Sequence, residues 1–135
     1  KLLDVADQFE RKIEFVKFPD FNEMIGTKLD IKRYSMSTFS RAMVENYYSE
    51  SEERVLYLDC DTLILEDIYE LYQCEFLQII GAVNDCRNFS YQRNLGIRRE
   101  NVYINAGVLL IDLKKWRAAD CQVRFCDAIK KFNGF

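Results

Sequence analysis

The 135-residue sequence contains no histidine. That absence excludes Ser-His and Cys-His nucleophilic schemes and histidine-ligated metals, leaving acid, base or metal work to carboxylates, Lys, Tyr or the backbone. Proline occurs once and glycine five times, so no Pro- or Gly-rich linker interrupts the chain. With no repeat or low-complexity tract either, residues 1–135 read as one domain. The cysteines, Cys60, Cys74, Cys86, Cys121 and Cys126, are odd in number and never spaced Cys-x-x-Cys. They read as reduced thiols, without a zinc knuckle. Positive charge is not in excess: 19 Lys+Arg stand against 22 Asp+Glu, a net charge of −3, which gathers no phosphate backbone and argues against nucleic acid as a partner. The longest stretch without a charge, Asn101 to Ile111, falls well short of the roughly 20 apolar residues that cross a bilayer. Asp4 and Asp7 break up any signal-peptide core before it forms. A cytoplasmic protein is the simplest account.

What the chain does have is hydrocarbon, at 49% of residues, enough for a sizeable core. Leu2, Leu3, Ala6, Phe9 and Ile13 recur at helical spacing and predict an opening amphipathic helix. Lys12 to Phe18 predicts a short strand closed by Pro19 and Asp20, and Asn22 to Arg33 a connecting loop. From Ser37, an expected N-cap, Phe39, Met43, Val44 and Tyr47 predict one helix. Val55 to Leu58, Ile79 to Val83 and Val102 to Ile111 are continuous apolar runs of the kind found in strands buried on both faces of a parallel sheet. Asp112 is the expected N-cap of a final helix bearing Leu113, Trp116, Ala119, Val123 and Ile129. Strands alternating with helices make the fold class α/β. The chain opens on a helix and stops where a connection would begin, which suggests a piece incomplete at both ends.

Two of the three apolar runs end in acids, Asp59-Cys60-Asp61 and Asn84-Asp85. In open α/β sheets ligands collect at such strand ends, and the two would share an edge if their strands were neighbours. Carboxylates at i and i+2 project to one side of an extended segment and repel unless a cation lies between them. All-oxygen ligation suits Mg²⁺ or Mn²⁺ with coordination positions left for phosphate oxygens, hence a metal–diphosphate site. The apolar run Thr62 to Leu65 is expected to press both acids against a core, where uncompensated charge is costly. The bland alternative is that both merely cap a turn. A haloacid-dehalogenase-type phosphatase, with Asp59 as nucleophile, is the runner-up. Its pattern wants Thr or Val two residues after the second Asp, where this chain has Leu63. A non-catalytic scaffold is a third reading.

Val55 to Leu65, Tyr103 to Arg117 and Ser37-Thr-Phe-Ser-Arg41 together resemble the family-eight retaining glycosyltransferases, the group of the bacterial lipopolysaccharide galactosyl- and glucosyltransferases and, more distantly, glycogenin. The resemblance covers nearly the whole chain. It implies a Rossmann-like nucleotide-sugar-binding domain of the glycosyltransferase-A type that uses Mn²⁺ or Mg²⁺ to hold a UDP-sugar donor for a glycan or glycolipid acceptor. It also implies that Asp59 and Asp61 ligate the metal, with Asp59 also near the ribose, and that Arg41 reaches the donor sugar. Asn105, Ala106 and Gly107 would line the sugar pocket, and Asp85 would lie near donor or acceptor. Read from the residues alone, Arg41 is as well suited to an ion pair with Glu45 at i+4, Asn105 to a backbone bond within the sheet, Gly107 to a bulge and Asp85 to a turn. Trp116 reads as core. Lys114, Lys115 and Arg117 read as a solvated helix face, with peripheral contact to anionic lipid as the minority alternative. The family's third metal ligand is a C-terminal histidine, and its uracil-gripping loop precedes the opening helix. Without them the chain is expected to bind UDP and Mn²⁺ weakly and to transfer sugar poorly.

Overall fold

A computed structural model describes residues 1–26, 28–29, 35–85 and 89–132. In chain order the helices are α1 (Leu2–Gln8), α2 (Phe21–Ile25), two 3₁₀ segments (Met36–Ala42 and Val44–Asn46), α3 (Tyr69–Gln73), α4 (Phe89–Asn94), α5 (Leu113–Ala118) and α6 (Cys121–Phe132). The strands are β1 (Arg54–Leu58), β2 (Ile80–Asn84) and β3 (Ile104–Asp112). The chain forms two compact units, one of Lys1–Ser40 with Cys126–Phe135 and the other of Arg41–Phe125.

In the first unit, Asp20 starts α2 by accepting the amides of Asn22 (2.9 Å) and Glu23 (3.4 Å), and Gly26 ends it at φ 69°, a left-handed conformation that glycine adopts without strain. Phe21 and Ile25, one turn apart, are both buried, and Phe21 stacks on Phe39 at 4.7 Å. This helix stands where a loop was expected, because five residues are too few for periodicity to register. The strand expected at Lys12 to Phe18 does not form. Those residues are irregular, with Ile13, Phe15 and Val16 exposed, since apolar alternation makes a strand only where a partner completes the ladder. The single helix expected from Ser37 is instead two 3₁₀ segments, and Ser35, not Ser37, precedes the first. Phe39 and Ala42, three residues apart, are both buried, which suits a helix of three residues per turn.

The second unit holds a three-stranded sheet in the order β1-β3-β2. Its pairing corrects the expected parallel arrangement, because β3 runs antiparallel to both neighbours, from Arg54 opposite Asp112 to Leu58 opposite Val108, and from Ile80 opposite Ile111. A continuous apolar run reports burial on two faces and says nothing of direction. Only β3 has that burial, with Leu109, Leu110 and Ile111 all inside, while β1 and β2 are half-exposed flanks. Val44, Val55, Leu109, Ile111, Leu113 and Trp116 form the core. The register slips between Ala82 and Asn84, which leaves Val83 exposed as a bulge residue and re-aims the end of β2.

Asp112 caps α5 as expected, accepting the Lys115 amide at 2.8 Å and pairing with its ammonium at 2.9 Å. The expected final helix is two helices, broken at Asp120, which sits at φ 49°. Arg117 is not a solvated cation. Its guanidinium donates to the carbonyls of Tyr48, Ser49, Glu50 and Glu52 and pins that loop. Lys114 is exposed, as expected of that face.

Burial pushes the Asp112 carboxyl upward, but hydrogen bonds from the Lys115 amide and ammonium, with the charges of Lys115 and Arg54, outweigh it and hold the group below the usual carboxylate range. A lowered folded-state pKa stabilises above the ordinary carboxylate value, and that contribution is lost as pH falls through the lowered one. Asp112→Ala is therefore expected to cost about 1 kcal/mol near neutral pH. Urea melts repeated at descending pH should show the gap from wild type closing below the carboxylate range. Ile111→Ala, which empties a fully buried site on β3, should cost about 2–5 kcal/mol.

Candidate functional site

Because β1 and β2 are each antiparallel to β3, their carboxyl ends emerge on the same edge of the sheet, on either side of the amino end of β3. The strands that carry the two acid ends are not neighbours, yet the acid ends share an edge, because β3 lies antiparallel between them. The Asp59 amide donates to the Gly107 carbonyl at 2.8 Å, and the Asp85 amide to the Tyr103 carbonyl, also at 2.8 Å. Asn105, Ala106 and Gly107 occupy the stretch of β3 between these two anchor points.

Asp59 is the centre of the arrangement. Its Oδ1 accepts from Arg41 Nη2 at 2.9 Å and from the Tyr57 hydroxyl at 2.6 Å, and Arg41 Nη1 donates to the Ala106 carbonyl. Arg41 also lies over the Tyr57 ring, its guanidinium carbon 4.9 Å from the centroid. The charge is therefore compensated by Arg41, the long-range alternative to an ion pair one helical turn away. The Arg41 and Asp59 side chains are 20% and 33% exposed, so the pair is neither a fully solvated surface ion pair nor a buried one. The turn after β1 is closed by the Thr62 amide on the main-chain carbonyl of Asp59 at 3.0 Å, so that bond does not occupy the Asp59 side chain.

Asp61 stands differently from the expectation. It is exposed, and so is the run that follows, with Leu63 79% and Leu65 83% accessible. Thr62 to Leu65 is an irregular surface segment, so no core presses on the pair. Asn105 follows the bland alternative, its side-chain oxygen accepting the Gly107 amide at 2.8 Å. Gly107 is a matter of space. A Cβ there would lie 3.1 Å from Asp59 Oδ2 and 3.2 Å from Asn105 Oδ1, closer than such atoms tolerate without moving. Asp85 is half-buried at the far side of β3. Tyr57 was not anticipated, although its place two residues before Asp59 puts both on one side of the strand, which is the signal that could have found it.

Among the described residues no three Asp, Glu or Cys side chains converge to cage a metal ion. The donor set that is present, Asp59 Oδ2 over Gly107 and the solvent-facing Asp61, consists of hard oxygens. It suits a Mg²⁺- or Mn²⁺-like ion held by one or two carboxylates and completed by phosphate and water. Cys60, between the two acids, is an exposed free thiol, and Cys74, Cys121 and Cys126 are also unbridged.

The model of the family described as "Glycosyl transferase family 8" matches residues 2–132. General stress protein A of Bacillus subtilis is 33% identical over 69 residues, covering 50% of this chain and 24% of its own length. The lipopolysaccharide 1,3-galactosyltransferase of Salmonella typhimurium is 28% identical over 105 residues, or 73% of this chain and 31% of that protein. The crystal structure of galactosyltransferase LgtC, in complex with donor and acceptor sugar analogs, superposes with a TM-score of 0.68 at 30% identity. That match covers 84% of this chain and 42% of LgtC. This chain thus spans well under half the length of these relatives. Its fold is α/β, of the glycosyltransferase-A type.

The geometry at Gly107 makes a prediction that needs no ligand. Both atoms that a methyl would meet end short side chains that need give only a few tenths of an ångström, so Gly107→Ala should keep the fold within about 1 kcal/mol, the span of an ordinary Gly–Ala exchange at compatible backbone. It should nevertheless displace the Asp59 carboxylate, read as a change in its carbon-13 signal. An unmoved signal would mean that Asp59 is not seated over Gly107.

Proposed function

This chain belongs to glycosyl transferase family 8, and we propose that it carries the donor-binding part of an enzyme that transfers a hexose from a UDP-sugar to a glycan or glycolipid acceptor, with retention of anomeric configuration and with Mn²⁺ or Mg²⁺. The observation that carries this reading is the pair of acids at the end of β1, one with an oxygen turned over Gly107 and the other facing solvent. Two such donors bind a hard cation weakly alone and better when a diphosphate supplies further oxygens.

In this reading Asp59 and Asp61 hold the cation and, through it, the donor diphosphate. Such an ion supplies Lewis acidity, neutralising charge that builds on the departing UDP. The chain's own part is orientation. Arg41, its two terminal nitrogens donating to the Ala106 carbonyl and to Asp59, holds the sheet edge in place beside the donor sugar. Asn105, Ala106 and Gly107 form the floor of the sugar pocket, where the missing Cβ at Gly107 leaves room beside the carboxylate. Asp85, anchored through Tyr103 on the opposite side of β3, faces donor or acceptor. Asp59, Asp85, Arg41 and Asn105 are tied to main-chain groups before substrate arrives, which lowers the ordering cost of binding for them.

A lipopolysaccharide-type acceptor is supported by the Salmonella relative, whose name states that activity. Among the described residues no helix is long and apolar enough to cross a membrane. We place the enzyme in the cytoplasm with a peripheral approach to its lipid-linked acceptor, a location compatible with the free thiols.

Paramagnetic broadening by Mn²⁺, titrated with and without UDP, tests the reading at low affinity. Broadening should centre on Asp59 to Asp61 and deepen with UDP, and Asp61→Ala should remove most of the metal-dependent UDP affinity. UDP binding indifferent both to chelator and to Asp61→Ala would refute it.

A further inference from the structure

The cluster at the end of β1 contains one side chain to which no motif draws attention. We propose that Tyr57 is a positioning residue that sets the orientation of the Asp59 carboxylate, tying one oxygen down and leaving the other toward the donor's cation, an inference that rests on the reading of Asp59 as a cation ligand.

Carboxylate rotation about its last torsion is broad and roughly two-fold, so an Asp whose oxygens are equally solvated offers either one. Asp59 is not in that situation. The Tyr57 hydroxyl, 2.6 Å away, and Arg41 Nη2, 2.9 Å away, both donate to Oδ1. The first distance is that of a charge-assisted O–H···O⁻ bond. Oδ1 is therefore loaded with two donors, while Oδ2 is the oxygen turned over Gly107.

Tyr57 acts on the second donor as well. Its ring face receives the Arg41 guanidinium at 4.9 Å, inside the range where a cation is attracted by an aromatic quadrupole. One residue thus supplies a hydrogen bond to the carboxylate and a platform for the cation that neutralises it. It does so from β1 itself, where strand alternation puts Tyr57 and Asp59 on the same side. The ring also packs against the core cluster, which limits its own freedom.

The test compares two variants of this chain. Tyr57→Phe removes the hydroxyl and keeps the ring, whereas Tyr57→Leu removes both. Without metal or nucleotide, Tyr57→Phe should shift the Asp59 carboxylate carbon-13 signal while the Arg41 guanidinium keeps restricted rotation. Tyr57→Leu should also release Arg41. With ligands, Tyr57→Phe should lower the Mn²⁺-dependent component of UDP affinity about tenfold, as loss of a hydrogen bond behind a metal ligand does. UDP affinity in chelator should stay unchanged. An Asp59 signal unmoved in Tyr57→Phe, or an equal loss of UDP affinity with and without Mn²⁺, overturns the positioning role. If the wild type shows no metal-dependent affinity, the donor-site reading is what fails. The ligand-free Asp59 and Arg41 signals then decide whether Tyr57 orients the carboxylate, a shift supporting it and no shift overturning it. Should Tyr57→Leu fail to fold, Tyr57→Phe carries the test alone.

Discussion

A negative charge leaving the half-buried end of a strand has to be compensated, and in this protein the compensation comes from far along the chain. Arg41, at the end of a 3₁₀ segment, reaches Asp59 just after β1 and the Ala106 carbonyl on β3 with one guanidinium. That single cation ties three segments together at the sheet edge. Because it loads only Oδ1, it neutralises the carboxylate without closing it. A buried acid with both oxygens satisfied would be inert, and one with neither satisfied would be costly. In the function proposed above, the oxygen left open is the one available to a cation.

The sheet makes this state possible by its order. With β3 in the middle and antiparallel to both flanks, the ends of β1 and β2 and the start of β3 meet along one edge. Main-chain bonds from Asp59 to Gly107 and from Asp85 to Tyr103 fix the two acids at a set separation along β3. Polar groups sit at the exposed edge and the hydrocarbon of Leu109 to Leu113 lies deeper, so the site is mounted on the best-packed part of the unit. The loop before β1 is steadied in turn by Arg117, whose fork gathers four carbonyls. A long cation often assigned to solvent here acts as a structural pin, because unpaired carbonyls at a turn attract donors strongly.

Leu63, Ile64 and Leu65 directly follow the acid pair and remain largely accessible. Their exposure also shows why the electrostatic case for the site differs from the sequence-based one. The pair is not driven to bind a cation by a surrounding core. Asp59 is stabilised by Arg41 and Tyr57, and Asp61 is exposed to water, so neither acid is held against a core.

Local order in the residues was enough to determine several features. Val55, Ile79 and Val102 open apolar runs whose strands lie within two residues of expectation, Asp112 caps a helix and Trp116 is core. These depend on neighbours along the chain, where spacing and side-chain chemistry act directly. Other features were decided only in three dimensions. Strand direction was one, since hydrophobic runs carry burial and no polarity. The choice of Asp59 over Glu45 as the partner of Arg41 was another, because an ion pair across a fold competes with one a turn away and only packing ranks them. The exposure of Asp61 was likewise invisible, as it depends on which surface the tertiary contacts leave open and which they cover.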